Sequence, residues 1–174
     1  MTLAELYHIY GSLVYNIALQ YTQNKEDAEE VTQDVFVQIH NKMDKFRNEA
    51  QIKTWIYRIT INKSLDFLRA KKAVKRRSFF LAKSIDDAEN ADGASEFNHP
   101  GVQMEQKEAL GFIFNCINQL NERQKTALIL VRVEGVELDE AAKIMELSYK
   151  ALESLLQRAK SNLKIIMAKT KENE

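Results

Sequence analysis

Apolar residues recur three and four apart along almost the whole chain, and no segment alternates convincingly with a period of two. That pattern admits helices and excludes a sheet as the main scaffold. A single proline, Pro100, and five glycines stand in 174 residues, so little interrupts the helical runs. The expected class is all-α.

Leu3, Leu6, Tyr10, Leu13, Ile17 and Tyr21 predict a first helix over 2–22. Asn24 offers a cap for a second, with Glu26 and Asp27 in its first turn, where the helix dipole favours acids. Ala28, Val31, Val35 and Ile39 carry that helix to about Lys42. A break at 44–49 precedes a third helical stretch, about 50–72, built on Ile52, Trp55, Ile56, Ile59, Leu65 and Leu68. Arg58, Asn62, Asp66 and Arg69 share one face of it. Periodicity returns at Met104. Asn121 caps the next helix, with Gln124 placed as in a capping box, and Gly135 is a stop. A short helix at 138–145 and a long one at 149–168 follow, the latter with Leu152, Leu155, Leu156, Ala159 and Leu163 on one stripe.

The net charge is zero, but it is unevenly spread. Residues 1–77 carry 13 Lys and Arg against 9 Asp and Glu, residues 78–105 carry 1 against 6, and residues 106–174 carry 11 against 10. A basic block, an acidic spacer and a near-neutral block predict two small helical domains, 1–77 and 103–174, joined by a flexible linker over 78–102. Neither a membrane span nor a secretory signal is expected, and the lone Cys116 suits a reducing cytoplasm.

Nothing in the chain reads as catalytic. His8, His40 and His99 are scattered, Cys116 sits among apolar neighbours, and there is no Gly-rich phosphate loop. Asp86-Asp87 lies in the expected linker, where solvated charge is the simpler reading. No enzyme, cofactor, metal site or small-molecule substrate is expected. Two features point to nucleic acid instead. Residues 69–77 hold six cations in nine positions, preceded by Trp55, Tyr57, Arg58, Asn62 and Lys63. Cations hold phosphates, while aromatic and amide groups stack on or read exposed bases. The helix–turn–helix at 138–168 presents Lys150, Ser154, Gln157 and Arg158 on a polar face, as a DNA-reading helix would.

These pieces stand in a familiar order. The chain resembles an extracytoplasmic-function (ECF) sigma factor of the sigma-70-like family over nearly its whole length outside the linker. The stretches that carry the likeness are 27–36, Phe46-Arg47, 53–62, 66–69, 120–124, Glu134-Gly135 and 154–160. The resemblance implies a cytoplasmic promoter-specificity subunit. It implies that Glu30, Gln33, Asp34 and Phe36 dock on the β′ clamp helices of core RNA polymerase. It implies that Trp55, Tyr57, Arg58, Asn62, Lys63 and Arg69 melt and capture the −10 element, with Asn62 near a flipped base. Lys150, Ser154, Gln157 and Arg158 would read the −35 element, with the β flap as a second polymerase contact. The acidic linker would thread near the active-site channel, and an anti-sigma factor, often membrane-bound, would hold the protein in check. The chain departs from the pattern at Glu146, where the family often has Gly, and at Lys150-Ala151 in place of a Gly-Thr pair. It also departs at Glu153 and Leu155, where basic residues are common. Glu can accept from a cytosine amino group, and Leu can touch a thymine methyl. A stand-alone helix-turn-helix regulator is the alternative, and a helical adaptor that mimics a sigma factor is a third reading.

Overall fold

The structure is a computed structural model that describes residues 2–46, 52–83 and 104–172. No strand occurs among the described residues. The helices are α1 (Leu3–Thr22), α2 (Lys25–Lys42), α3 (Ile52–Lys83), α4 (Met104–Asn118), α5 (Glu122–Leu128), α6 (Leu138–Met145) and α7 (Tyr149–Glu172). A short 3₁₀ turn, Met43–Lys45, follows α2, and a π turn, Ile129–Val133, extends α5.

Local chemistry sets the boundaries. Thr2 and Glu5 form a reciprocal capping box at α1. Asn24 accepts from the Asp27 amide at 2.9 Å, and Asn121 from the Gln124 amide at 2.9 Å. Gln124 does not return the bond. Its side chain instead accepts from Asn162 of α7 at 3.1 Å, so the expected capping box is a tertiary tie. Gly135 takes a φ of 65° and closes the π turn, as its sequence position predicts. Glu146, in the turn between α6 and α7, takes a φ of 54°. A left-handed conformation costs a non-glycine residue roughly 1 kcal/mol.

The third helix is longer than its apolar pattern. It runs to Lys83, through the first residues of the expected linker. The rest of that stretch, with Asp86, Asp87, His99 and Pro100, lies outside the described residues.

Two apolar clusters hold the fold, and α3 contributes to both. Ile52, Ile56 and Ile59 are buried with Leu6, Val14, Val31, Val35 and Ile39 of α1 and α2. Tyr57 and Ile61, on another side of α3, join Ile17 and Tyr21 of α1 in a second cluster. That cluster also contains Leu120, Leu130, Ala141, Leu152 and Leu156 from the second half of the chain. Thr60 and Ser64 are fully buried, and each donates to the carbonyl four residues back at 2.8 Å. These short side chains satisfy their own hydroxyls locally, so α3 can be covered on more than one side. The two expected domains therefore share a core in this structure.

Candidate nucleic-acid interface

The face of α3 expected to carry DNA chemistry is assembled as the spacing predicts. Asn62 and Arg69 are exposed, Arg58 and Lys63 are half-buried, and all follow one another along the helix. The cations of 69–77 continue from it as an exposed arm. Trp55 is half-buried, stacked on Phe46 with ring centroids 4.8 Å apart. Tyr57 is only 2% exposed and lies in the shared core. Burial, with the carboxylates of Glu134 and Glu140 nearby, pushes its hydroxyl up to about 12. In this arrangement it supports the face from beneath.

The second half of the chain meets this face. Arg58 Nη1 pairs with Glu146 Oε1 at 3.0 Å, and Nη2 donates to the Lys143 carbonyl at 2.6 Å. Arg69 makes a two-pronged contact with Glu122, Nε to Oε1 at 3.0 Å and Nη2 to Oε2 at 2.5 Å. That contact holds Arg69 above its ordinary range and Glu122 below the usual carboxylate range. Thr54 donates to Glu140, and Gln20 donates to Glu134. Beneath these, the hydroxyls of Tyr21 and Thr126 share a bond of 2.6 Å. Lys125 Nζ donates to the Tyr21 carbonyl at 3.2 Å and to Asn118 at 2.5 Å. A cleft of about 300 Å³ remains, lined by Arg58, Asn62, Arg69, Arg123 and Glu146 among others. The sequence reading missed Glu122, Glu140 and Glu146 as partners of this face. One signal for them was a second apolar stripe on α3, Tyr57–Ile61–Leu65–Leu68, which needs a cover of its own.

Helices α6 and α7 form the expected helix–turn–helix. Lys150, Ser154, Gln157 and Arg158 are all exposed on α7. Arg158 Nε lies 3.3 Å from the Ser154 carbonyl, within its own helix. Glu153 is exposed on the same side. Leu155 is not: it is 8% exposed and belongs to the core stripe with Leu152, Leu156 and Ala159, so the expected thymine contact is withdrawn.

On α2, Glu30, Gln33 and Asp34 are exposed. Asp34 lies 3.6 Å from Lys63 of α3, which links the two expected binding faces. Phe36 is buried and meets Tyr7 edge-to-face, with centroids 4.9 Å apart. The pair borders a groove of about 1190 Å³ between α1 and α2, where Tyr7 and Val37 are each 60% exposed.

Among the described residues no cluster of His, Cys, Asp and Glu could hold a metal, and no helix is long and apolar enough to cross a membrane.

Comparison with known proteins agrees with this geometry. Residues 6–74 match the family Sigma-70 region 2, and residues 113–163 match Sigma-70, region 4. The ECF RNA polymerase sigma-E factor of Haemophilus influenzae is 29% identical over 154 residues, covering 87% of this chain and 79% of that one. The RNA polymerase sigma factor CnrH of Cupriavidus metallidurans is 28% identical over 142 residues, covering 81% and 73%. Among solved structures, CnrH in complex with the cytosolic domain of CnrY has a TM-score of 0.66 at 20% identity, covering 95% of this chain and 87% of that one. The sigma factor RpoE in complex with the anti-sigma factor NepR, from Bartonella quintana, has a TM-score of 0.60 at 19% identity, covering 95% of each chain. The region 2 match falls on α1–α3 and the region 4 match on α4–α7, in that order in one chain, and the chain belongs to the ECF sigma factors of the sigma-70-like family.

Proposed function

We propose that this sigma factor divides promoter recognition between the face of α3 and the face of α7, while α2 holds core RNA polymerase. Residues 1–77 form the unit that docks and melts, and residues 103–174 form the unit that reads the −35 element. The stretch 78–102 connects them, with its first residues belonging to α3.

The observation that carries the reading is the row Arg58, Asn62, Arg69 on one face of α3, continuous with the basic arm and supported by Trp55 and Tyr57. Opening a duplex costs a few kcal/mol for each base unstacked. A face with guanidinium and amide donors offsets that cost by holding the strand's phosphates and the edge of an extruded base. No bond is made or broken by the protein, so its work is binding rather than catalysis, done in the cytoplasm beside the polymerase. On α7, Lys150 and Arg158 hold phosphates while Ser154, Gln157 and Glu153 face base edges in the major groove. An anti-sigma factor is a further expected partner, as NepR is for the solved neighbour from Bartonella quintana.

The docking assignment is tested at Asp34. Asp34→Arg reverses the charge of the α2 face and sets an arginine beside Lys63. A like-charge clash at an interface costs on the order of 2 kcal/mol, or about thirtyfold in affinity. Co-purification with core polymerase should fall accordingly, with Asp34→Asn intermediate. Unchanged co-purification would remove Asp34 from the docking surface.

A further inference from the structure

We propose that Glu153 sets the sequence preference of α7 by selecting a cytosine in the −35 element, where its carboxylate accepts from the exocyclic amino group. The inference rests on the reading of α7 as the −35 face, and it names a base that this face selects.

The outer face of α7 carries Lys150, Glu153, Ser154, Gln157 and Arg158, all exposed. Leu152, Leu155, Leu156 and Ala159 fill the core behind it. Ser148 accepts from the Ala151 amide at 3.2 Å and so caps the helix, which starts at Tyr149. Glu153 therefore stands early in the helix and faces away from the protein. The first residues of a recognition helix are the ones that reach base edges.

Helix stability does not account for the two charges at this end. The first turn of α7 holds no acid. Lys150 stands there instead, against the helix dipole, while Glu153 lies just beyond the turn where the dipole acts. A lysine on the N-terminal side of a glutamate is also the weaker order for a pair on a helix face. Among the described residues Glu153 has no ion-pair partner. Exchanging the two residues would give a better helix. Phosphate binding does not account for Glu153 either, because DNA phosphates repel a carboxylate. The side chain is left with a base edge as its match.

Acceptor chemistry then picks the base. An ionised carboxylate only accepts. In the major groove guanine offers N7 and O6, and thymine offers O4, so both set acceptor against acceptor. Adenine offers its N6 amino group with the N7 acceptor beside it. Cytosine offers the N4 amino donor alone. Lys150, three residues before Glu153, and Arg158, five after it, flank the acid with cations. Their hold on phosphates offsets the repulsion and lets the carboxylate enter the groove. Discrimination comes mainly from the wrong bases, which leave a desolvated acid facing an acceptor.

The test uses holoenzyme reconstituted from purified core polymerase and this protein, on a promoter library randomised through the −35 region. Run-off transcripts are sequenced to give the base preference at each position. Wild type should favour cytosine at one position by roughly ten- to a hundredfold. Glu153→Ala should flatten that position while the other positions keep their preferences. Glu153→Gln should move the preference to adenine, which an amide bonds through N6 and N7 together. Circular dichroism of each variant checks that helix content is kept. An unchanged cytosine preference in Glu153→Ala overturns the proposal. A change in output shared by every −35 sequence also overturns it, since Glu153 would then act through phosphates alone. A −35 preference without this cytosine that is lost in Gln157→Ala would sink the cytosine assignment and leave α7 as the −35 face. Wild-type holoenzyme that starts equally from every −35 sequence would overturn the reading of α7 itself.

Discussion

Asn62→Ala leaves core binding unchanged and lowers open-complex formation by roughly ten- to a hundredfold. A well-placed amide contact to a base edge is worth about 1–3 kcal/mol, which is that range in an equilibrium constant. Asn62 is exposed on α3 between Arg58 and Arg69, on a different helix from the exposed Gln33 and Asp34 of α2. Permanganate footprinting reports unpaired thymines directly, so melting is read apart from binding. Arg58→Ala should lose less than Asn62→Ala. It removes a phosphate or base contact, but it also frees the face from Glu146 and Lys143. Normal footprints with both changes would show that this face does not hold the melted strand.

Lys125→Met should raise stability most below pH 8, and its advantage should shrink by about 3 kcal/mol as the pH approaches 10.5. Lys125 is 5% exposed, with its ammonium 4.7 Å from the Tyr21 ring. Burial, helped by the Lys72 charge and opposed by Glu122, pushes it down from 10.5 to about 8. Between those values the unfolded chain binds more protons than the folded one, so wild-type stability rises with pH across that window. Below pH 8 the full penalty stands, and a shift of about 2.5 units corresponds to about 3 kcal/mol. Methionine carries no charge and has no such window. It leaves the Tyr21 carbonyl and Asn118 without a donor, but that cost is a constant offset. Urea unfolding of both proteins at pH 7, 8.5 and 10 checks this. Parallel curves would show that the buried ammonium is not paying a desolvation cost at this seam.

Much of the fold was legible because its signals are local. Asn24 and Asn121 cap the helices they were expected to cap, and Gly135 stops the helix before it. Helix α6 falls on the residues expected, because a compact apolar pattern is bounded by turn residues at both ends. The end of α3 was not legible. After Leu68 few apolar residues remain to mark a face, and the helix continues to Lys83 mainly on Lys, Arg and Ala, which favour helix without a core. The junction of the two halves was harder still. Periodicity shows that Ile17, Tyr21, Tyr57 and Ile61 lie on buried faces, but not what covers them. Nothing local marks Glu122, Glu140 and Glu146 as partners of α3, since pairing across the chain is a tertiary fact. Leu155 illustrates the opposite error. A resemblance set it on the DNA face, while its own spacing with Leu152 and Leu156 already placed it in the core.

The most direct measurement is run-off transcription with purified core polymerase on a library of promoter fragments from the host genome. Discrete start sites that require this protein, with shared −10 and −35 sequences upstream, are the predicted result. Polymerase that binds the protein yet starts nowhere, or duplex DNA bound tightly by the protein alone, would contradict the account.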